Sequence, residues 1–170
     1  MKTVGVVGLG DMGSGLAKNL LKHGFNVQGA DLLPHRQEAF RAMGGQLADC
    51  PADVGRGADA VFVMVMTGEQ AKSVILAPDG LLATMAEGSA IVLSATIKPQ
   101  EARDIGAQMH VSGVDLIDSP VSGGFPGRRG AALPLWPPRR MMFWIASCLF
   151  SKRSRPIFTG LASVRGMRRR

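Results

Sequence analysis

Val6-Val7-Gly8-Leu9-Gly10-Asp11-Met12-Gly13 joins an apolar run, Thr3-Val4-Gly5-Val6-Val7, to a segment in which Leu16, Leu20 and Leu21 recur at helical spacing. That is a strand turning into a helix through Gly-x-Gly-x-x-Gly. Gly8 supplies the φ freedom of a tight turn, Gly10 lets the backbone approach a pyrophosphate, and Gly13 lets the helix pack close to its strand. The intervening Leu9, Asp11 and Met12 place their amides at the helix N-terminus, where unpaired N–H groups and the macrodipole favour negative charge. Gly24 is placed to end the helix, and Val27-Gln28-Gly29-Ala30 supplies a second strand leading to Asp31, eighteen residues after Gly13. A carboxylate there accepts hydrogen bonds from an adenosine ribose. A glycine-rich turn alone also arises by chance, and a doubly wound domain without a dinucleotide shares this unit.

The alternation continues along the chain. Helices are expected over residues 36–43, 51–57, 69–76, 81–85 and 99–109, and strands over residues 46–48, 60–66, 90–93 and 114–117. Residues 60–66 are almost continuously apolar, as in a parallel strand covered on both faces. The fold class that follows is α/β, a Rossmann-like doubly wound parallel sheet. Ligands of such sheets sit at the carboxyl ends of the strands. Those ends bring together residues 8–13, Asp31, Met66-Thr67, Ser94-Ala95-Thr96 and the segment from Asp118 to Gly124. The Ser122 hydroxyl and the successive amides of Gly123 and Gly124 suit an anion-binding concavity. Alone, each would be an ordinary loop.

Charge divides the chain in two. Residues 1–127 hold all thirteen acidic residues and nine of the twenty Lys and Arg, a net of −4; residues 128–170 hold the other eleven cations and no acid. Trp136 and Trp144 also fall in that tail. The break separates a dinucleotide-binding domain, 1–127, from an aberrant basic tail, 128–170, expected to be irregular. Its clustered arginines would hold nucleic acid only non-specifically. Cys50 and Cys148 form no disulfide framework and no metal spacing, and no leader precedes the first strand. The expected compartment is the cytoplasm, with no membrane partner. His23, His35 and His110 fall at helix ends or loops and read as solvated or capping residues. Oligomeric state is not legible.

The run Gly8-Leu9-Gly10-Asp11-Met12-Gly13-Ser14-Gly15-Leu16-Ala17-Lys18-Asn19-Leu20 resembles the opening of the β-hydroxyacid dehydrogenases, which include 3-hydroxyisobutyrate and L-threonate dehydrogenases. Thr96-Ile97-Lys98-Pro99 and Asp118-Ser119-Pro120-Val121-Ser122-Gly123-Gly124 resemble two further signatures of that family, in order and at its spacing. The resemblance covers residues 1 to about 127. It implies hydride transfer between a small hydroxy acid and a nicotinamide cofactor, with Met66 and Thr96 against the cofactor and Ser122-Gly123-Gly124 on the substrate carboxylate. Asp31 followed by Leu32 rather than arginine resembles the members that favour NAD over NADP. Met66-Thr67 replaces the family's frequent Leu-Pro. With Gln70 placed before the following helix, the segment resembles the threonate branch.

The resemblance also implies a catalytic lysine in a Gly-x-Gly-x-x-x-Lys-x-x-x-Asn helix well downstream of Ser-Gly-Gly. Lys152 is the sole lysine after Gly124, within Ser151-Lys152-Arg153-Ser154, which lacks that context. No catalytic residue is therefore assigned, and the 170-residue chain is expected to be truncated and inactive alone. The tail reads as out-of-frame translation. Shifted one base earlier, Met141-Met142-Phe143-Trp144-Ile145 forces aspartate-valine-leucine-aspartate, which suits the acidic helix expected there. The strands that the family adds after Ser-Gly-Gly would then be missing, leaving an open sheet edge and an incomplete sheet. The competing reading is a nucleotide-sensing module whose basic tail contacts nucleic acid or anionic lipid.

Overall fold

In the computed structural model, the described residues are 2–119 together with the backbone of 158–159. β1 (Thr3–Val7), β2 (Asn26–Ala30), β3 (Gln46–Leu47), β4 (Ala60–Val63), β5 (Ala90–Leu93), β6 (Asp115–Asp118) and β7 (Phe158–Thr159) form one sheet in the order β3-β2-β1-β4-β5-β6-β7. Every pairing is parallel. The helices are α1 (Asp11–Lys22), α2 (Pro34–Ala42), α3 (Pro51–Gly55), α4 (Gly68–Leu76) and α5 (Pro99–Met109).

Strand pleating sorts the core into two layers. Val4 and Val6 of β1, Val27 of β2, Phe62 of β4 and Val92 of β5 pack with Leu16, Ala17 and Leu20 of α1 and Phe40 of α2. The alternate residues Val61, Val63, Ile91 and Leu93 pack with Val54 of α3, Ala71 and Ile75 of α4, and Ala102, Ile105 and Met109 of α5. α1, α4 and α5 each cover the sheet with a stripe of three or four buried positions, whereas α2 buries Phe40 alone. Close approach is built in. A Cβ at Gly5 would stand 2.6 Å from Val54 Cγ1, and one at Gly45 would enter the ring of Phe40, which is fully buried.

Several boundaries move from their expected places. The apolar run after β4 stops pairing at Val63; Met64 and Val65 are half-buried and Met66 is 83% exposed. Apolar character had extended the strand into the loop that bends toward α4. Residues 81–85 make only a 3₁₀ turn, Leu81–Ala83, whose Leu81 is buried against Ile75 in the same core layer. β6 lies one residue later than expected. Gly24 does follow the end of α1, at φ +79°, with its N–H on Leu21 O and that of Phe25 on Leu20 O. The open edge expected at β6 is occupied over two residues by β7, Ile117 opposite Phe158 and Asp118 opposite Thr159. These two residues come from the segment expected to be irregular.

Candidate cofactor site

Register brings the strand ends level. Ala30, Val7, Val63, Leu93 and Asp118 lie side by side across five adjacent strands. One residue further on, the ladder still closes: Gly8 N–H donates to Ala30 O (2.9 Å), Met64 N–H to Val7 O (2.8 Å), Ser94 N–H to Val63 O (3.0 Å) and Ser119 N–H to Leu93 O (2.9 Å). The loops bearing residues 8–13, 64–67, 94–98 and 118–119 therefore leave the sheet along one edge. Strand order reverses between β1 and β4, so the crevice of a doubly wound sheet opens at Gly8.

The β1–α1 turn is interlocked by its glycines. Gly8 holds φ +94°, and a Cβ there would stand 2.3 Å from Met64 O in the neighbouring loop. A Cβ on Gly13 would lie 1.9 Å from Gly8 O, so the helix start is pressed onto the turn. Gly10, the N-cap, offers no side-chain cap to the first turn. The amides of Asp11, Met12 and Gly13 thus reach the helix end with no carbonyl one turn back to accept them. Such an end suits a pyrophosphate. The Asp11 carboxylate is exposed, which leaves its backbone as the contributing part.

Asp31 is the hub of the adjoining β2–α2 turn. Its Oδ2 accepts from Leu9 N–H at 2.7 Å and its Oδ1 from Leu33 N–H at 2.9 Å, while Gln37 Nε2 donates to its main-chain oxygen at 2.6 Å. Its side chain is only 6% exposed, and Arg36 Nη1 lies 3.5 Å from Oδ2. One carboxylate therefore ties the glycine turn, the β2–α2 loop and α2 together. The residues present fit a dinucleotide, with bare amides for the pyrophosphate and a fixed carboxylate for a ribose diol.

The opposite rim is looser. Met66 is exposed on a loop steadied by its own N–H donating to Gln70 Oε1 (3.0 Å), while Thr67 Oγ1 caps α4 by accepting from Gln70 N–H (3.2 Å). Gln70 lies in the first turn of α4, within the helix expected over residues 69–76. Thr96 is exposed ahead of α5, where Lys98 N–H donates to Glu101 Oε2 at 2.8 Å. Asp118 is half-buried, and burial pushes its carboxyl above the ordinary carboxylate value. Ser122, Gly123 and Gly124 lie outside the described residues, as does the rest of the tail apart from β7. His23, His35 and His110 are exposed at helix ends, with His23 Nδ1 at 2.7 Å from Asn19 O.

Two contributors escaped sequence reading, Arg36 and Gln37. Both return to Asp31 because Pro34 starts α2 three residues after it. That offset from the acidic residue was the available signal.

Residues 3–138 match the family described as the NAD binding domain of 6-phosphogluconate dehydrogenase. This chain belongs to that family. The match runs past Gly127, where composition had placed the domain boundary. The L-threonate dehydrogenase of Cupriavidus necator is 37% identical over 123 residues, covering 72% of this chain and 41% of that protein. The mitochondrial 3-hydroxyisobutyrate dehydrogenase of Rattus norvegicus is 35% identical over 130 residues, covering 76% and 39%. The crystal structure of 3-hydroxyisobutyrate dehydrogenase from Salmonella typhimurium superposes with a TM-score of 0.68 at 34% identity, covering 73% of this chain and 43% of that one. The chain thus spans less than half the length of these relatives. It is an NAD-binding Rossmann domain of the hydroxyacid dehydrogenase kind, and the nucleotide-sensing alternative finds no support. Among the described residues, no helix is long and apolar enough to cross a membrane.

Proposed function

We propose that residues 1–127 are the cofactor-binding domain for NAD-linked oxidation of a small hydroxy acid of the threonate or 3-hydroxyisobutyrate type, or the reverse reduction. The observation that carries this is the level row of strand ends. Asp31, the glycine turn, Thr96 and Asp118 follow one another along that row, which supports a reading in which the adenosine ribose, the pyrophosphate, the nicotinamide and then the substrate lie in sequence. The turn of residues 8–13 holds pyrophosphate, chiefly through the amides of Asp11, Met12 and Gly13, Asp31 holds the ribose, and Met66 flanks the cofactor. Thr96 lies against the nicotinamide half. Ser122-Gly123-Gly124 grips the substrate carboxylate through a hydroxyl and two amides. The chemistry that a nicotinamide supplies there is acceptance of hydride from the hydroxyl-bearing carbon.

The matching proton must leave the hydroxyl to a positioned base. No segment of this sequence carries the Gly-x-Gly-x-x-x-Lys-x-x-x-Asn pattern that would provide it. We therefore assign cofactor binding, and not turnover, to these 170 residues alone, and residues 128–170 to neither. Calorimetry with NAD⁺ and absorbance of NADH with L-threonate or 3-hydroxyisobutyrate test both parts. The expected result is saturable NAD⁺ binding without NADH formation. Turnover at an ordinary enzymatic rate, about 1 s⁻¹ or more, would overturn the assignment of inactivity. Absence of NAD⁺ binding would overturn the reading as a whole.

A further inference from the structure

We propose that Glu101 is a positioning residue that ties the two loops on the far rim of the crevice, residues 64–67 and 94–98, into one unit. These loops leave adjacent strands, β4 and β5, and run into different helices, α4 and α5. Each is fastened to the first turn of its own helix. Met66 N–H donates to Gln70 Oε1 at 3.0 Å and Gln70 N–H to Thr67 Oγ1 at 3.2 Å, while Lys98 N–H donates to Glu101 Oε2 at 2.8 Å. None of these bonds joins one loop to the other. The link lies at Gly68, the buried first residue of α4. A Cβ there would stand 2.6 Å from Glu101 Cδ, 2.7 Å from Oε1 and 3.0 Å from Oε2. The Glu101 carboxyl group therefore fills the place of a side chain at position 68.

Two features make this contact a coupling rather than a helix cap alone. A cap needs one oxygen turned back to its own helix start, and Oε2 provides it. Oε1, the nearer oxygen to position 68, is left for α4, so one carboxylate serves the first turns of two helices, whose partly positive ends both favour it. Further along, Ala71 and Ile75 of α4 share a core layer with Ala102 and Ile105 of α5. The core thus holds the helix bodies together and Glu101 holds their first turns. Met66 and Thr96 ride on the two loops so joined. Under the cofactor reading above, on which this consequence rests, Glu101 sets both residues against the nicotinamide half at once without touching the cofactor itself.

Amide hydrogen exchange read by mass spectrometry on the full chain, wild type and Glu101→Asp, is the test. Aspartate keeps a carboxylate in the first turn of α5 but falls one methylene short of Gly68. Exchange is expected to quicken at least about threefold over residues 66–70 as well as over 96–101. Unchanged exchange over residues 66–70 would overturn the coupling, whatever happens at 96–101. Gly68→Ala displaces the same carboxyl group from the other side, and the displaced atoms are the end of a flexible side chain. It should quicken exchange over residues 96–101 at least about twofold in the wild type and not at all in Glu101→Ala; equal effects in both backgrounds would overturn the coupling too. Calorimetry with NAD⁺ and with ADP-ribose, which lacks the nicotinamide, reads the consequence for binding. Glu101→Asp should weaken NAD⁺ at least about threefold and ADP-ribose less than about 1.5-fold. Equal losses, or none, would overturn the positioning role. Wild type that binds neither ligand would overturn the cofactor reading and leave the coupling to be decided by exchange.

Discussion

The two ends of the crevice are built differently. At the end bearing the glycine turn, backbone meets backbone: Gly13 sits on Gly8 O, Gly8 sits on Met64 O, and Asp31 closes the turn through Leu9 N–H. At the opposite end, exposed loops carry Met66 and Thr96, each loop held by one or two hydrogen bonds to the helix that follows. Strand geometry alone positions the first end. The side with the interlocked glycines is therefore the more tightly packed of the two.

The contrast can be broken at its strongest point. Gly13→Ala puts a methyl against the Gly8 carbonyl, an atom that cannot move without opening the turn. The expected outcome is a loss of about 3 kcal/mol or more in urea unfolding and about a hundredfold weaker NAD⁺ binding. Asp31→Ala comes next. It removes the acceptor of two main-chain amides, and should cost about 1–3 kcal/mol in the same unfolding experiment and weaken NAD⁺ at least about tenfold in calorimetry. Thr96→Ala, at the loose end, should change NAD⁺ affinity less than about threefold and leave the melting temperature unmoved. A large loss there would erase the distinction between the two ends.

Asp118 carries the smallest effect. Burial raises its carboxyl in the folded protein, so the native state binds more protons than the unfolded chain between the ordinary carboxylate value and the raised one. Its contribution to stability is greatest below that interval and falls as pH rises through it. Asp118→Asn should therefore flatten the pH dependence of the melting temperature across that interval and stand slightly above the wild type beyond it. An unchanged profile would show that Asp118 is solvated when ionised.

Much of this was legible because its causes are local. The glycine turn follows from φ freedom and steric room at three positions, and the strands from apolar runs bounded by turn residues. Failures came where apolar character and pairing part company. Met64, Val65 and Met66 continue the hydrophobic run but lie beyond the strand, because the chain turns there toward the start of α4 at Gly68. Residues 81–85 looked helical and tightened to a 3₁₀ turn around the buried Leu81. The pairing of Phe158 and Thr159 with β6 had no local signal, since a two-residue parallel strand is defined by its partner.

The sequence by itself determined a dinucleotide-type glycine turn, the acidic residue at the end of the second strand, the order of strands and helices, and a charge boundary near residue 127. Each depends on residue type and spacing over a few turns of chain. Tertiary structure alone decided that the strand ends stand level, that the crevice opens between β1 and β4, and that Arg36 rather than position 32 brings the cation to Asp31. These depend on where α2 turns back against the sheet and on register between strands distant in sequence, which hydrogen-bond ladders and packing set and no single stretch of residues records.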